Sequence, residues 1–400
     1  MPVNMNKLLV IGGSHSELPL IEAGLMRGLE VYTTGNRPDH PGHWWSHKYV
    51  AADFSNVEAV LSVAKSIGAQ YVVPGANDFA MMSAAYVAER LGLPGYDSYE
   101  TTLLLHRKDR FKDFASSINL PICSFVVLAA NDVTGAMDAV KRLKFPLMVK
   151  PVDLTGGKGI TRIDSIDELG TALGHAAARS RQTDVVVEEW FDGALHSYST
   201  VIENGEIVFD YCDTELCIYK DYLVSTSMSL GNISATAIRN VRDATVRMAR
   251  ELGLVNGVLH SQILVNGDEV RILEYTRRMS GDLYSKVIQQ VRGVRHSDIF
   301  VDTALGQSVH VGLKEVMPRH PFVMRHCVTS ERLGCFTGIR IDEEVRPFVQ
   351  SLTLAVPLGS AVSDDGASKV ATVILSFPTE KDMRECAERC KETMRCEVRQ

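Results

Sequence analysis

"VKPVDLTGGKGI", residues 149–160, ends an apolar run in a lysine and follows it with a glycine loop carrying a second lysine. "FPLMVKP" (145–151) reads as a buried strand, and "ITRI" after the loop reads as the chain returning beside it. Gly156, Gly157 and Gly159 would let backbone N–H groups approach an anion closely, and Lys150 and Lys158 would add positive charge. A hairpin turn with an incidental lysine fits the same residues. The phosphate-loop pattern GxxxxGK[ST] is absent.

On the N-terminal side, "KLLVIGG" (7–13), "EVYTTG" (30–35) and "AQYVVPGAND" (69–78) each read as a short strand followed by a turn and helix, the first helix covering about 16–27. That alternation implies a parallel α/β sheet ending near residue 105. "GGSHSE" lacks the GxGxxG spacing, and the second strand ends in Thr33-Thr34 without an acid for a ribose, so a tight turn explains the glycines better than a dinucleotide site. From Lys108 onward, helices are expected at about 107–117, 132–143, 166–178, 234–252 and 282–305, and strands at 123–128 and 184–190. Hairpins are expected to turn at Asn204-Gly205 and Asn266-Gly267. The last eighty residues read as a small mixed lobe, with strands in 350–362 and 369–377 and a helix at 379–393.

Four hundred residues exceed one compact core, so two or three domains are expected. A net charge of -7 argues against nucleic acid as a partner while leaving room for a local basic pocket. Eight cysteines form no CxxC pair and no zinc spacing, which suits a reducing cytoplasm, and Cys386 and Cys390 fit a packed helix face. The N-terminus has no signal-peptide pattern, and no apolar run is long enough to cross a membrane.

Four pieces then fall in order: Lys108, the Lys150 strand with its TGGKG loop, "VVVEEWFDG" (185–193), and "ILEYTRRMSG" (272–281). Together they resemble the ATP-grasp superfamily, in particular its carboxylate–amine ligases, which include L-amino-acid ligases. The resemblance implies an α/β chain, α+β in its ATP-binding part. It would comprise a pre-ATP-grasp parallel-sheet domain (1–105), an ATP-grasp domain (106–318, with a lid at about 120–190) and a C-terminal α+β lobe (319–400). It implies ATP and Mg²⁺ as cofactors, small-molecule carboxylate and amine substrates, and a homodimer. Lys108 and Lys150 would be the nucleotide lysines, and Thr155, Gly156, Gly157, Lys158 and Gly159 the loop over the phosphates. Glu188, Glu189, Trp190 and Phe191 would be the hinge that reads adenine. Leu195 stands where the family has its ribose acid, so His196 beside it is a substitute candidate.

The family holds Mg²⁺ with a Glu before the second hairpin and Glu-x-Asn after it, where this chain has Gln262, Glu274 and Thr276. Gln262 and Glu274 can share a face only if the hairpin loop holds an odd number of residues; a two-residue turn would flip Glu274 away. A single carboxylate implies that the cation arrives with ATP. Arg278 matches the family arginine that stabilises the acyl-phosphate, making Arg278 and Glu274 the catalytic candidates, while Arg277 reads as a solvated surface charge. The segment 213–231 lies where substrate-lining elements often fall, with Tyr219, Lys220 and Tyr222 as weaker candidates than an ordinary exposed loop. The implied reaction joins a carboxylate to an amine through an acyl-phosphate. The alternatives are a carboxylase or formyl-type enzyme acting on a purine-type intermediate, and a nucleotide-binding protein without turnover.

Overall fold

The computed structural model describes residues 5–154, 156–229, 233–309 and 321–400. Apolar strand residues organise the first section: Leu8, Leu9, Val10 and Ile11 are wholly buried in the strand Lys7–Ile11. Parallel to it run Glu30–Gly35 on one side and Tyr71–Pro74 on the other, and Lys48–Ala51 lies beyond Glu30–Gly35. The order reverses between Lys7–Ile11 and Tyr71–Pro74, and a crevice opens at the carboxyl ends of strands where such a reversal occurs. Glu17 spans it, accepting hydrogen bonds from the Ser14 N–H and hydroxyl and from the Ala76 N–H. Asp78 opens the helix Asp78–Leu91 at the same edge.

The glycine-loop section is a four-stranded sheet in the order Phe125–Ala129, Asp184–Glu189, Leu147–Pro151, Thr161–Ile163, all antiparallel. Helix Leu169–Ala177 buries Leu169, Ala172, Leu173 and Ala176 against it. Gly156, Gly157 and Gly159 all have φ between 64° and 74°. A Cβ on Gly157 would stand 2.5 Å from the Tyr222 carbonyl oxygen, so only glycine lets the loop seat there.

The third unit is an eight-stranded sheet. Its order is Glu269–Thr276, Gly257–Asn266, Ala194–Glu203, Glu206–Leu216, Thr226–Met228, Phe322–Thr329, Lys369–Phe377, Val349–Leu354. Asn204 and Gly205, with φ of 52° and 76°, make the expected two-residue turn. The sheet runs without a break into the last eighty residues, so side chains of that section reach the same cleft. Helix Glu380–Thr393 buries Cys386 and Cys390 in an apolar cluster beneath it, and all eight cysteines are free. The expected helix at 282–305 is two, Tyr284–Arg292 and His296–Ala304, because left-handed Gly293 ends the first. The expected strand in 350–362 is broken by the Pro357–Gly359 turn into Val349–Leu354 and Ala361–Val362. Among the described residues no helix is long and apolar enough to cross a membrane.

The second hairpin turns on two residues, Gly267 and Asp268, with Asn266 opposite Glu269. That turn alone would send Glu274 to the far face. The register shifts by one residue at Leu273, however, so Gln262 stands directly opposite Glu274. The odd residue is therefore a bulge in the strand, not a third turn residue.

His296 is buried edge-on to Phe209, and burial holds its pKa down to about 4. The unfolded chain takes up this proton near pH 6.5 and the folded chain resists until about 4, so this histidine withdraws stability as pH falls through that window. The melting temperature of His296→Phe should therefore fall less steeply than wild type from pH 6.5 to 4. Parallel curves in a thermal-melt pH series would contradict this.

Candidate active site

A cleft of about 660 Å³ opens where the three sheets meet. Cys123, Met148, Val186, Leu195 and Leu264 give it an apolar floor. Lys108, Lys150, Gly156, Gly157, Glu188–Phe191, Gln262, Glu274, Thr276 and Arg278 line it as well. Separate stretches of sequence thus converge on one cavity. Gly156 lies near Leu223, so the loop's seat is the Tyr222–Leu223 turn.

Glu188 is 1% exposed and sits between two cations. Lys112 Nζ lies 2.6 Å from Oε2, and Lys150 donates a short hydrogen bond to Oε1. Burial pushes the Glu188 carboxyl up, but the two lysines outweigh it and hold the pKa at about 2. Burial likewise disfavours charge on Lys150, and Glu188 more than restores it. Glu188 therefore positions Lys150 rather than facing a ligand freely. Lys112, on the helix Lys108–Ser117, went unseen in the sequence; it lies one helical turn from Lys108, which was a readable signal. Lys108 Nζ donates to the Leu154 carbonyl oxygen at 2.5 Å and lies 4.0 Å from Glu274.

The hinge residues are engaged at their edges. Glu189 Oε1 accepts from the Lys144 N–H, and the Trp190 N–H donates to the Pro146 carbonyl. The Arg162 guanidinium lies over the Trp190 ring and Arg271 over Phe191. His196 does not join them. Strand alternation turns Leu195 into the cleft and His196 to the other face, where its Nδ1 lies 2.9 Å from the Asp213 carbonyl oxygen. Lys158 is exposed on the outside of the loop, and Gly159 packs against Pro151; neither lines the cleft. Thr155 lies outside the described residues.

Around the second hairpin, Glu274 is partly exposed and Gln262 Nε2 donates to Glu215 Oε2 at 2.6 Å. Glu215 also accepts from the Ser197 hydroxyl, and burial raises its pKa. Thr276 Oγ1 is buried with no hydrogen-bond partner among the described residues. Carboxylate, amide and hydroxyl oxygens form a hard donor set that suits Mg²⁺. No described group of three His, Cys, Asp or Glu side chains could hold a metal by itself, so the set needs further oxygens from a ligand or water.

Arg278 lines the far end, with Nε 2.5 Å from Asp78 Oδ1. His106 Nδ1 lies 3.1 Å from the same oxygen. Burial pushes the Asp78 carboxyl up, but Arg278 and His106 outweigh it and hold it well below the usual range. Arg277 is not a solvated charge. Strand alternation sends it into the interior, where it donates to Asp97 and to the carbonyls of Val258 and Val255. Beyond Arg278 the last section contributes Arg325 and Lys369, both within reach of Asp282. Strands without motif spacing supply them, so the sequence had marked neither. Within 213–231, residues 213–216 and 226–228 lie in strands of the large sheet, Tyr219 meets His326 and Lys220 meets Asp365 at the surface.

Residues 114–214 match the family "D-ala D-ala ligase C-terminus". The formate-dependent phosphoribosylglycinamide formyltransferase of Nitratiruptor sp. is 26% identical over 283 residues, covering 69% of this chain and 70% of the relative. Among solved structures, the L-amino acid ligase from Bacillus licheniformis aligns over the whole of both chains with a TM-score of 0.78 at 16% identity. The biotin carboxylase domain of the Hydrogenobacter thermophilus 2-oxoglutarate carboxylase, solved with MgADP and bicarbonate, aligns with a TM-score of 0.80 at 14% identity. That alignment covers 98% of this chain and 91% of the other. The chain thus shares its fold with these structures from end to end, and the family match over 114–214 covers strands that line the cleft.

Proposed function

We propose that the chain is an ATP-dependent ligase that activates a carboxylate as an acyl-phosphate and couples it to an amine, releasing ADP and phosphate. One observation carries this reading: Lys108, Lys150, Gly156 and Gly157 of the glycine loop, Glu274 and Arg278 all line a single cleft. Adenine lies on the apolar floor beside Glu189, Trp190 and Phe191. Lys108 and Lys150 meet the phosphates, where a water-poor cleft strengthens each charge. Glu274, with neutral oxygens from Gln262 and Thr276, would hold Mg²⁺, which offsets phosphate charge when bound. The glycine loop covers the phosphates and keeps water from the activated carboxylate.

A carboxylate oxygen attacks the γ-phosphorus, the bond to the bridging oxygen breaks, and ADP leaves. The amine then attacks the acyl carbon, and phosphate departs with the former carboxylate oxygen. Arg278 stabilises the negative charge that builds on the acyl-phosphate and the tetrahedral intermediate. Its contact with Asp78 fixes the guanidinium, so little reorganisation is needed. The reading also includes a cytoplasmic homodimer, as the family resemblance implies.

A second reading draws on the formyltransferase relative and the carboxylase neighbour: formate or bicarbonate as the carboxylate and a purine-type intermediate as the amine. Both readings share the acyl-phosphate. ADP release should be measured across amino acids, small carboxylates, formate and bicarbonate, singly and in pairs, with hydroxylamine present to trap the activated acid. Carboxylate-dependent ADP release and a hydroxamate are expected. ADP release indifferent to every carboxylate would leave a nucleotide-binding protein without this chemistry.

The two lysines should separate cleanly. Lys108→Met leaves no buried carboxylate unpaired, so it should weaken ATP binding by about tenfold with the melting temperature unchanged. Lys150→Met leaves Glu188 to Lys112 alone, so it should lower both ATP affinity and melting temperature. Calorimetry beside thermal melts checks the contrast, and equal melting temperatures for the two variants would contradict it. Arg278→Lys keeps the charge beside Asp78 but loses the planar fork. It should cut kcat by about a hundredfold while ATP affinity changes little. Equal losses in both would remove Arg278 from the chemistry.

A further inference from the structure

The cleft's carboxylates fall into two groups. Glu188 and Asp282, like Asp78 just outside the lining, each meet a cation at close range. Glu189, Asp221, Glu215 and Glu274 do not, and the last two stand apart from the others by their place: among the described residues Glu215 has no ion pair and Glu274 has only Lys108 at 4.0 Å. These two flank Gln262. Glu274 stands directly across the ladder from it, and Glu215 Oε2 takes its amide hydrogen at 2.6 Å. Glu215 accepts from Gln262 Nε2 on one oxygen and from the Ser197 hydroxyl on the other, so the amide presents its nitrogen to Glu215. Oε1 is left as the atom that Glu215 does not engage. Thr276 Oγ1, buried and without a described partner, lines the same cleft two residues beyond Glu274.

From this geometry, and resting on the ligase reading above, we infer that Glu215 is a positioning residue of the cation site. It fixes the Gln262 amide so that Oε1 serves as a neutral ligand beside Glu274, and it supplies the site's second carboxylate from two strands away in the sheet. The usual arrangement places that carboxylate on the residue at 262 itself. Here the acid and the amide have exchanged places: the ligand is neutral, and the carboxylate stands behind it. Outer partners of this kind orient a ligand and raise its basicity, and losing one commonly weakens metal binding by 10–100-fold.

The test uses the full chain with ADP and Mn²⁺, reading bound Mn²⁺ by electron paramagnetic resonance, and needs no turnover. Glu215→Gln should weaken Mn²⁺ binding by about tenfold or more while ADP affinity without metal stays unchanged. The swapped pair Glu215→Gln with Gln262→Glu should recover Mn²⁺ affinity to within about threefold of wild type, because the carboxylate returns to the site. Unchanged Mn²⁺ affinity in Glu215→Gln overturns the inference, and so does a swapped pair no better than the single variant. If Glu215→Gln fails to fold, the swapped pair alone decides by the same threshold. Wild-type chain that binds ADP but no Mn²⁺ overturns both this inference and the Mg²⁺ assignment. Loss confined to Glu215→Gln leaves the ligase reading standing.

Discussion

A carboxylate taken out of water is costly unless cations meet it, and the pairing of Glu188 with Lys112 and Lys150 is the interaction on which the cleft depends. Its three members come from different places: Glu188 from the strand Asp184–Glu189, Lys150 from the neighbouring strand, and Lys112 from the helix Lys108–Ser117. The pairing therefore ties the glycine-loop sheet to the helix that carries Lys108. It also keeps Lys150 charged where burial alone would disfavour the ammonium. Removing the acid would free two lysines in a low-dielectric wall, and removing a lysine would strand the acid.

The same logic repeats along the cleft. Asp78 from the first section steadies Arg278 from the second hairpin. Asp282 gathers Lys369 and Arg325 from the last section. Each contact joins segments far apart in sequence, so the site's electrostatics double as the glue between the units. At Gln262, by contrast, Glu215 and Glu274 stand without a close cation among the described residues.

Much of the fold was legible because it depends on local chemistry. Buried β-branched runs, the glycine loop and the Asn204-Gly205 turn all follow from residue types at short range. Four of the expected residues that line the cleft were legible in the same way: Lys108, Lys150, Glu274 and Arg278 stand on strand ends, a helix start and turns that the pattern marks. What escaped depends on register or on distant pairing. The bulge at Leu273 leaves no mark in composition, yet it decides which way Glu274 faces. Arg277 and Arg278 look alike in sequence, and alternation sends one to Asp97 and the other to the cleft. Glu215, Arg325 and Lys369 lie in strands without motif spacing, and only the continuous eight-stranded sheet brings them to the cleft. By pattern alone the Glu188 carboxylate is a candidate adenine contact, because its pairing with Lys112 joins segments far apart in sequence.

The central claim is that a carboxylate oxygen passes to phosphate by way of an acyl-phosphate. It is tested most directly by supplying the carboxylate that supports ADP release with ¹⁸O in its carboxyl group and analysing the released phosphate by mass spectrometry. The account predicts one ¹⁸O in each phosphate formed during coupling. Phosphate free of label, formed at the same rate as product, would mean that ATP hydrolysis and coupling are separate events, and would contradict it.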